Sequence, residues 1–146
     1  MRVFIDTNLW VYRLDKREVA KGRRIADWLR AQAREHEIVV STQVLIELRA
    51  VLTRKFKPPM LARDVRAALD ALAHFDVVTA DANLVLDAHE LAGREQIEWF
   101  DALIMEAAIR SGCERLYSED LSHGRTVGGL TILNPFLAVP DQDLQA

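Results

Sequence analysis

The chain has 146 residues, half of them hydrophobic and 28% charged, with a formal net charge of −3. That length suits one domain with a full core, and the composition excludes wholesale disorder. No apolar run approaches the roughly 18 residues of a membrane span, the N-terminus reads as a strand rather than a signal sequence, and a lone Cys113 excludes an internal disulfide, so a cytoplasmic setting is expected.

Taken in chain order, Arg2 to Ile5 reads as a buried strand of β-branched and aromatic residues. A helix is expected from about Arg17 to Arg34, with Ala20, Ile25, Trp28 and Leu29 as its apolar stripe. Ile38-Val39-Val40 is a second strand, and Ser41 or Thr42 offers an N-cap for a helix that reaches about Phe56 and stops at Pro58-Pro59. A helix over Ala62 to Ala73 and a short strand over Asp76 to Val78 follow. Asp81 can cap a helix from Ala82 to about Ala92, ended by Gly93, and Trp99 to Arg110 is another helix, closed by Gly112. Cys113, just before a strand, is expected as a small buried hydrophobe. Leu116-Tyr117 and Leu130 to Leu133 complete the strands, and the tail after Pro140 is polar.

Strands separated by helices imply right-handed crossovers and a parallel sheet covered on both faces. The expected fold is therefore a single α/β/α sandwich around a central, mainly parallel sheet of about five strands, with residues 1–138 forming the domain and 139–146 a tail. Charge is divided unevenly along it. Residues 1–66 hold 15 Lys and Arg against 8 Asp and Glu, whereas residues 67–146 hold 4 against 14. Separate basic and acidic surfaces would produce that asymmetry, and so would two ordinary sets of solvated helix faces.

Four acids, from two strand ends and two helix starts, sit where this topology would gather them at one rim, near the carboxyl ends of the parallel strands where ligands bind. Asp6 ends the first strand and is followed by Thr7-Asn8; on its own that triplet also reads as a helix cap or turn. Glu47 projects at the border of the stripe Val44, Leu45, Leu48, Val51 and Leu52, where a carboxylate costs free energy unless paired or metal-bound; a salt bridge to Arg49 or Arg54, or an edge side chain reaching water, is the structural alternative. Asp101 falls in the first turn of its helix, where capping is a sufficient explanation, and Asp120 lies in a polar loop with Ser118, Glu119, Ser122, His123 and Gly124. Together, four unneutralised carboxylates at one rim repel, and a hard divalent cation removes that penalty. All-oxygen ligation suits Mg²⁺ or Mn²⁺. Zinc is disfavoured, because His36, His74, His89 and His123 show no paired ligand spacing and there is a single cysteine.

These residues resemble the PIN-domain ribonucleases, in particular the VapC-type toxins of toxin–antitoxin pairs. Val3-Phe4-Ile5-Asp6-Thr7-Asn8 resembles the family's first strand and first acid, and Ser41-Thr42-Gln43-Val44-Leu45-Ile46-Glu47 resembles its second motif. Trp99-Phe100-Asp101-Ala102-Leu103-Ile104 is similar to the third, Leu116-Tyr117-Ser118-Glu119-Asp120-Leu121-Ser122-His123-Gly124 to the fourth, and Asn134-Pro135-Phe136 to a common ending. The fourth motif offers both Glu119 and Asp120; Asp120 is aligned with the family acid because it stands two after Ser118.

The resemblance implies metal-dependent cleavage of RNA, inhibition by a cognate VapB-type antitoxin, and a homodimer. Asp6 and Asp101 would be the main metal ligands, with Glu47 and Asp120 ligating directly or through water. Thr7, Asn8 and Ser118 would hold those ligands or a phosphate. Arg13, Lys16, Arg17, Arg49, Arg54 and Lys55 could supply a phosphate-tracking surface. A non-catalytic RNA-binding module on the same fold is the competing function, and the presence of all four acids argues against it. A phospho-acceptor domain would need a lysine near a late strand, but the last lysine is Lys57; a haloacid-dehalogenase-type phosphatase would need a second aspartate where Asn8 stands.

Overall fold

Val3, Phe4 and Ile5 are consecutive in the first strand and all fully buried, which requires cover on both faces of the sheet. This computed structural model describes residues 1–137, so the expected tail over 139–146 lies outside the described residues. The strands are β1 (Arg2–Ile5), β2 (Glu37–Ser41), β3 (Asp76–Val78), β4 (Arg115–Tyr117), β5 (Thr126–Val127) and β6 (Leu130–Leu133), in the spatial order β3-β2-β1-β4-β6-β5. Every pairing is parallel except β5 with β6.

Among the described residues the sheet thus has six strands where about five were expected, and the addition is β5. Val127 pairs with Leu130 across Gly128-Gly129, whose φ angles of 55° and 81° suit a two-residue hairpin turn closed to most side chains.

The helices are α1 (Thr7–Leu14), α2 (Val19–Glu35), α3 (Thr42–Ala50), α4 (Ala62–Ala73), α5 (Ala82–Glu95) and α6 (Trp99–Arg110). α3 runs on into a π-helical turn, Val51–Lys55. α1 is the helix that periodicity does not announce, since Thr, Asn, Trp, Val and Tyr are middling helix formers. Asp6 caps it, and burial of Leu9 and Trp10 holds it down; Trp10 also donates its indole N–H to the Ile5 carbonyl at 3.1 Å and packs on Phe75 at 5.5 Å between ring centres. Gly93 does not end α5. The helix continues to Glu95, and Gln96 takes the left-handed conformation at φ 53°.

Successive strands from β1 run outward to β3 on one side and from β4 outward on the other. The order of the sheet therefore reverses between β1 and β4, and in such sheets the crevice beyond those strand ends is where ligands bind. No helix among the described residues is long and apolar enough to cross a membrane.

Candidate active site

Asp6 leaves β1 at that reversal point and is 9% exposed. Its Oδ1 accepts from the Thr7 N–H at 2.8 Å and its Oδ2 from the Ser118 hydroxyl at 2.9 Å. It is a helix cap, as the triplet alone allowed, but the cap uses only one of its oxygens. Burial pushes the Asp6 carboxyl up from 3.8 to about 6; the bonds from Thr7 and Ser118 work against that rise, and the charges of Glu47 and Asp120 add to it.

Glu47 stands on α3, half-buried, and forms no ion pair with Arg49 or Arg54 or with any other cation among the described residues. Thr7 Oγ1 donates to its Oε2 at 2.9 Å and Gln43 Nε2 to its Oε1 at 2.7 Å. The same Gln43 amide donates to the Phe100 carbonyl at 3.2 Å, so one side chain ties α3 to the start of α6. There the N-cap of α6 is Glu98, which accepts the Asp101 N–H at 3.1 Å. Capping therefore does not account for the Asp101 carboxylate, which desolvation raises above its ordinary value together with the charges of Glu98, Asp120 and Glu47.

Asp120 is exposed, and its N–H donates to Ser118 Oγ at 3.2 Å. Thr7 thus bridges Asp6 to Glu47, and Ser118 bridges Asp6 to the Asp120 backbone. Asn8 differs. Its amide Nδ2 and Oδ1 are both buried without a hydrogen-bond partner among the described residues.

A groove of ≈ 560 Å³ opens beside two of these acids, Glu47 and Asp120, while Asp6 and Asp101 are not among its lining residues. Glu47 and Asp120 line it with Thr7 and Asn8, and Arg17, Arg54 and Lys55 line it further along. Of those cations Arg17 is engaged by Asp15 at 3.0 Å. Arg13, Lys16 and Arg49 do not line this groove.

The four acids are electrostatic neighbours, yet no three His, Cys, Asp or Glu side chains among the described residues converge tightly enough to close around one ion. The donor chemistry nevertheless fits a hard divalent cation. All donors are oxygens, none of the four carboxylates is neutralised by a cation among the described residues, and Asn8, whose buried amide has no partner among them, belongs to the groove lining.

A family profile for the PIN domain matches residues 3–128, most of the chain. The chain belongs to the PIN-domain family. Among solved structures, VapBC2 of Rickettsia felis bound to a DNA fragment from its promoter is similar with a TM-score of 0.64 at 21% identity, covering 92% of this chain and 98% of that one. A toxin–antitoxin complex from Klebsiella pneumoniae gives 0.63 at 15% identity over 88% and 95% of the two chains. VapC20 of Mycobacterium tuberculosis, a toxin that cleaves the sarcin-ricin loop, gives 0.57 at 22% identity over 81% and 91%. At these identities the likeness is one of fold. No curated protein sequence matches the chain.

This PIN domain also separates its two adjacent acids in a way the sequence leaves open. Glu119 accepts from Lys21 Nζ at 3.1 Å, whereas Asp120 has no cation partner among the described residues. Gln43 and Lys21 are the site residues that sequence reasoning passes over. Gln43 carried a usable signal, since it stands one helical turn before Glu47 on the same face. Lys21 carried none, because its partner is 98 positions away.

Proposed function

We propose that this PIN domain is a metal-dependent endoribonuclease of the VapC toxin type, using Mg²⁺ or Mn²⁺ and restrained by a VapB-type antitoxin. The observation that carries the reading is Asp6: a buried carboxylate, unpaired by any cation among the described residues, at the sheet's reversal point and within electrostatic range of two more acids. A buried carboxylate held at such cost beyond its capping bond supports a functional role for Asp6.

Asp6, Asp101, Glu47 and Asp120 would hold the cation directly or through water, with Thr7 and Ser118 orienting two of them and the buried Asn8 amide able to hold a water. The cation would supply an acidified water and charge neutralisation at the phosphorus. The chain's own contribution to RNA is Arg54 and Lys55, exposed on the helical turn that continues α3 beyond Glu47, where they line the groove and offer charge to phosphates. Mixed charge along one groove supports this, since a strand must be drawn toward acids that alone would repel it.

The test is cleavage of single-stranded RNA or tRNA in Mn²⁺. Activity should vanish with EDTA and in Asp6→Ala and Asp101→Ala proteins that remain folded. Metal-independent cleavage, or activity surviving both substitutions, would sink the reading; RNA binding without cleavage would make the chain a non-catalytic RNA-binding module.

A further inference from the structure

Lys21 lies on α2, and its ammonium reaches across to Glu119 Oε1 at 3.1 Å. It also sits over two aromatic faces, 4.0 Å from the centre of the Tyr12 ring and 4.5 Å from that of Phe136. Those rings meet edge to face at 5.7 Å. A cation with a ring on two sides and a carboxylate on a third is held more firmly than an exposed pair, because each partner strips water from the others. Close approach of α1 and α2 makes this possible. A Cβ on Gly22 would lie 2.8 Å from the Tyr12 carbonyl oxygen, a backbone atom that cannot swing aside.

Glu119 is thereby fixed at its side chain, and its carbonyl oxygen also accepts from Asn134 Nδ2 at 3.4 Å. Asp120 comes next. Its own carboxylate has no hydrogen-bond partner among the described residues, so its direction depends on the backbone on which it rides. The Asp120 N–H is tied to Ser118 Oγ, and the residue directly before it, Glu119, is the second support on the same side.

We infer that Lys21 is a positioning residue for the carboxylate site: it anchors Glu119, and so fixes the backbone from which Asp120 projects and keeps the neighbouring acid out of the groove. The inference rests on the nuclease reading above. Lys21 itself does not line the groove, so any effect on catalysis must pass through Glu119 and Asp120.

Three full-length variants test it: Lys21→Met, which keeps the apolar stem and loses the charge; Lys21→Arg, which keeps the charge; and Glu119→Gln, which removes the same ion pair from the other end should Lys21→Met fail to fold. Amide hydrogen exchange in metal-free protein is expected to quicken at Glu119 and Asp120 in Lys21→Met and Glu119→Gln, and to be restored in Lys21→Arg. Mn²⁺ affinity by calorimetry is expected to fall about tenfold, the usual effect of losing an outer support to a metal site. RNA cleavage should lose kcat with KM unchanged, and adding Glu119→Gln to Lys21→Met should cost nothing more. Unchanged exchange, unchanged Mn²⁺ affinity, or a rise in KM with kcat intact would each overturn the assignment, the last by making Lys21 a substrate contact. If the wild-type protein neither binds Mn²⁺ nor cleaves RNA, the nuclease reading falls and the exchange rates alone decide on the anchor.

Discussion

Ser118 Oγ donates to Asp6 Oδ2 at 2.9 Å, joining the carboxyl ends of β4 and β1 across 112 positions of sequence. This bond favours the charged carboxylate and so opposes the burial that lifts Asp6 to about 6. Ser118→Ala is therefore expected to raise the midpoint of Asp6 further in metal-free protein. A hydrogen bond to a charged group contributes about 1.5–3 kcal/mol, which corresponds to roughly one to two pH units. Carboxyl-carbon NMR titration checks this, and a midpoint that stays put or falls would show that Ser118 does not support the charge.

The same carboxyl makes stability depend on pH. Folded Asp6 binds its proton more tightly than the unfolded chain does, since its value stands at about 6 against 3.8. Stability of the metal-free protein is then greatest below about 4 as far as Asp6 is concerned, and is lost as pH rises toward 6. Above that window the buried charge costs on the order of 3 kcal/mol. Asp6→Asn removes the charge at nearly the same shape, so at pH 7.5 it is expected to melt higher than wild type, on the order of 5–10 °C. The gap should close below pH 4. Mn²⁺ should raise the melting temperature of wild type and leave Asp6→Asn unmoved. A less stable Asp6→Asn protein at pH 7.5 would contradict the account.

Gln43 gives a third expectation. Its amide spans Glu47 Oε1 and the Phe100 carbonyl, so it aims one acid and sets the distance between α3 and α6. Gln43→Ala is expected to lower kcat about 10- to 100-fold, the range for an outer support of a metal ligand, with thermal stability little changed because the side chain is only half-buried. Gln43→Glu should be as damaging, since it sets a second carboxylate against Glu47. Full activity in either variant would remove Gln43 from the site.

Much of this was legible in the sequence, and the losses have local causes. β1, β2, β3, β4 and β6 each carry an apolar or β-branched run, and α4 and α6 begin and end where their periodicity does. β5 is two residues long, too short for alternation, and only its Gly128-Gly129 turn marks it. α1 escaped because tertiary burial of Leu9 and Trp10, rather than propensity, makes it a helix. The four acids could be picked out by type and position, but not their unequal surroundings. Whether Glu119 or Asp120 faces the groove depends on Lys21, and whether Asp101 is a cap depends on Glu98 taking that role.

Arg54 and Lys55 are exposed, line the groove and form no ion pair among the described residues. Charges of that kind act on a nucleic acid by releasing the counterions condensed on its phosphates, so their contribution is read in salt dependence rather than in affinity at one salt concentration. For single-stranded RNA each phosphate contact contributes about 0.7 to the slope of log affinity against log salt. Arg54→Gln/Lys55→Gln is expected to flatten that slope by roughly 1.4 if both side chains meet phosphate, with cleavage at saturating RNA little affected because neither residue is among the four acids proposed to hold the metal. Arg13→Gln is the control: Arg13 carries the same charge on α1 but does not line the groove, its guanidinium lying 5.8 Å from the centre of the Trp10 ring. The slope measured by fluorescence anisotropy on Asp6→Asn protein, which is expected to bind without cutting, separates the two sites. Equal flattening by Arg13→Gln would mean that the whole basic half attracts RNA diffusely, and an unchanged slope in the double variant would mean that RNA leaves the acids by another wall.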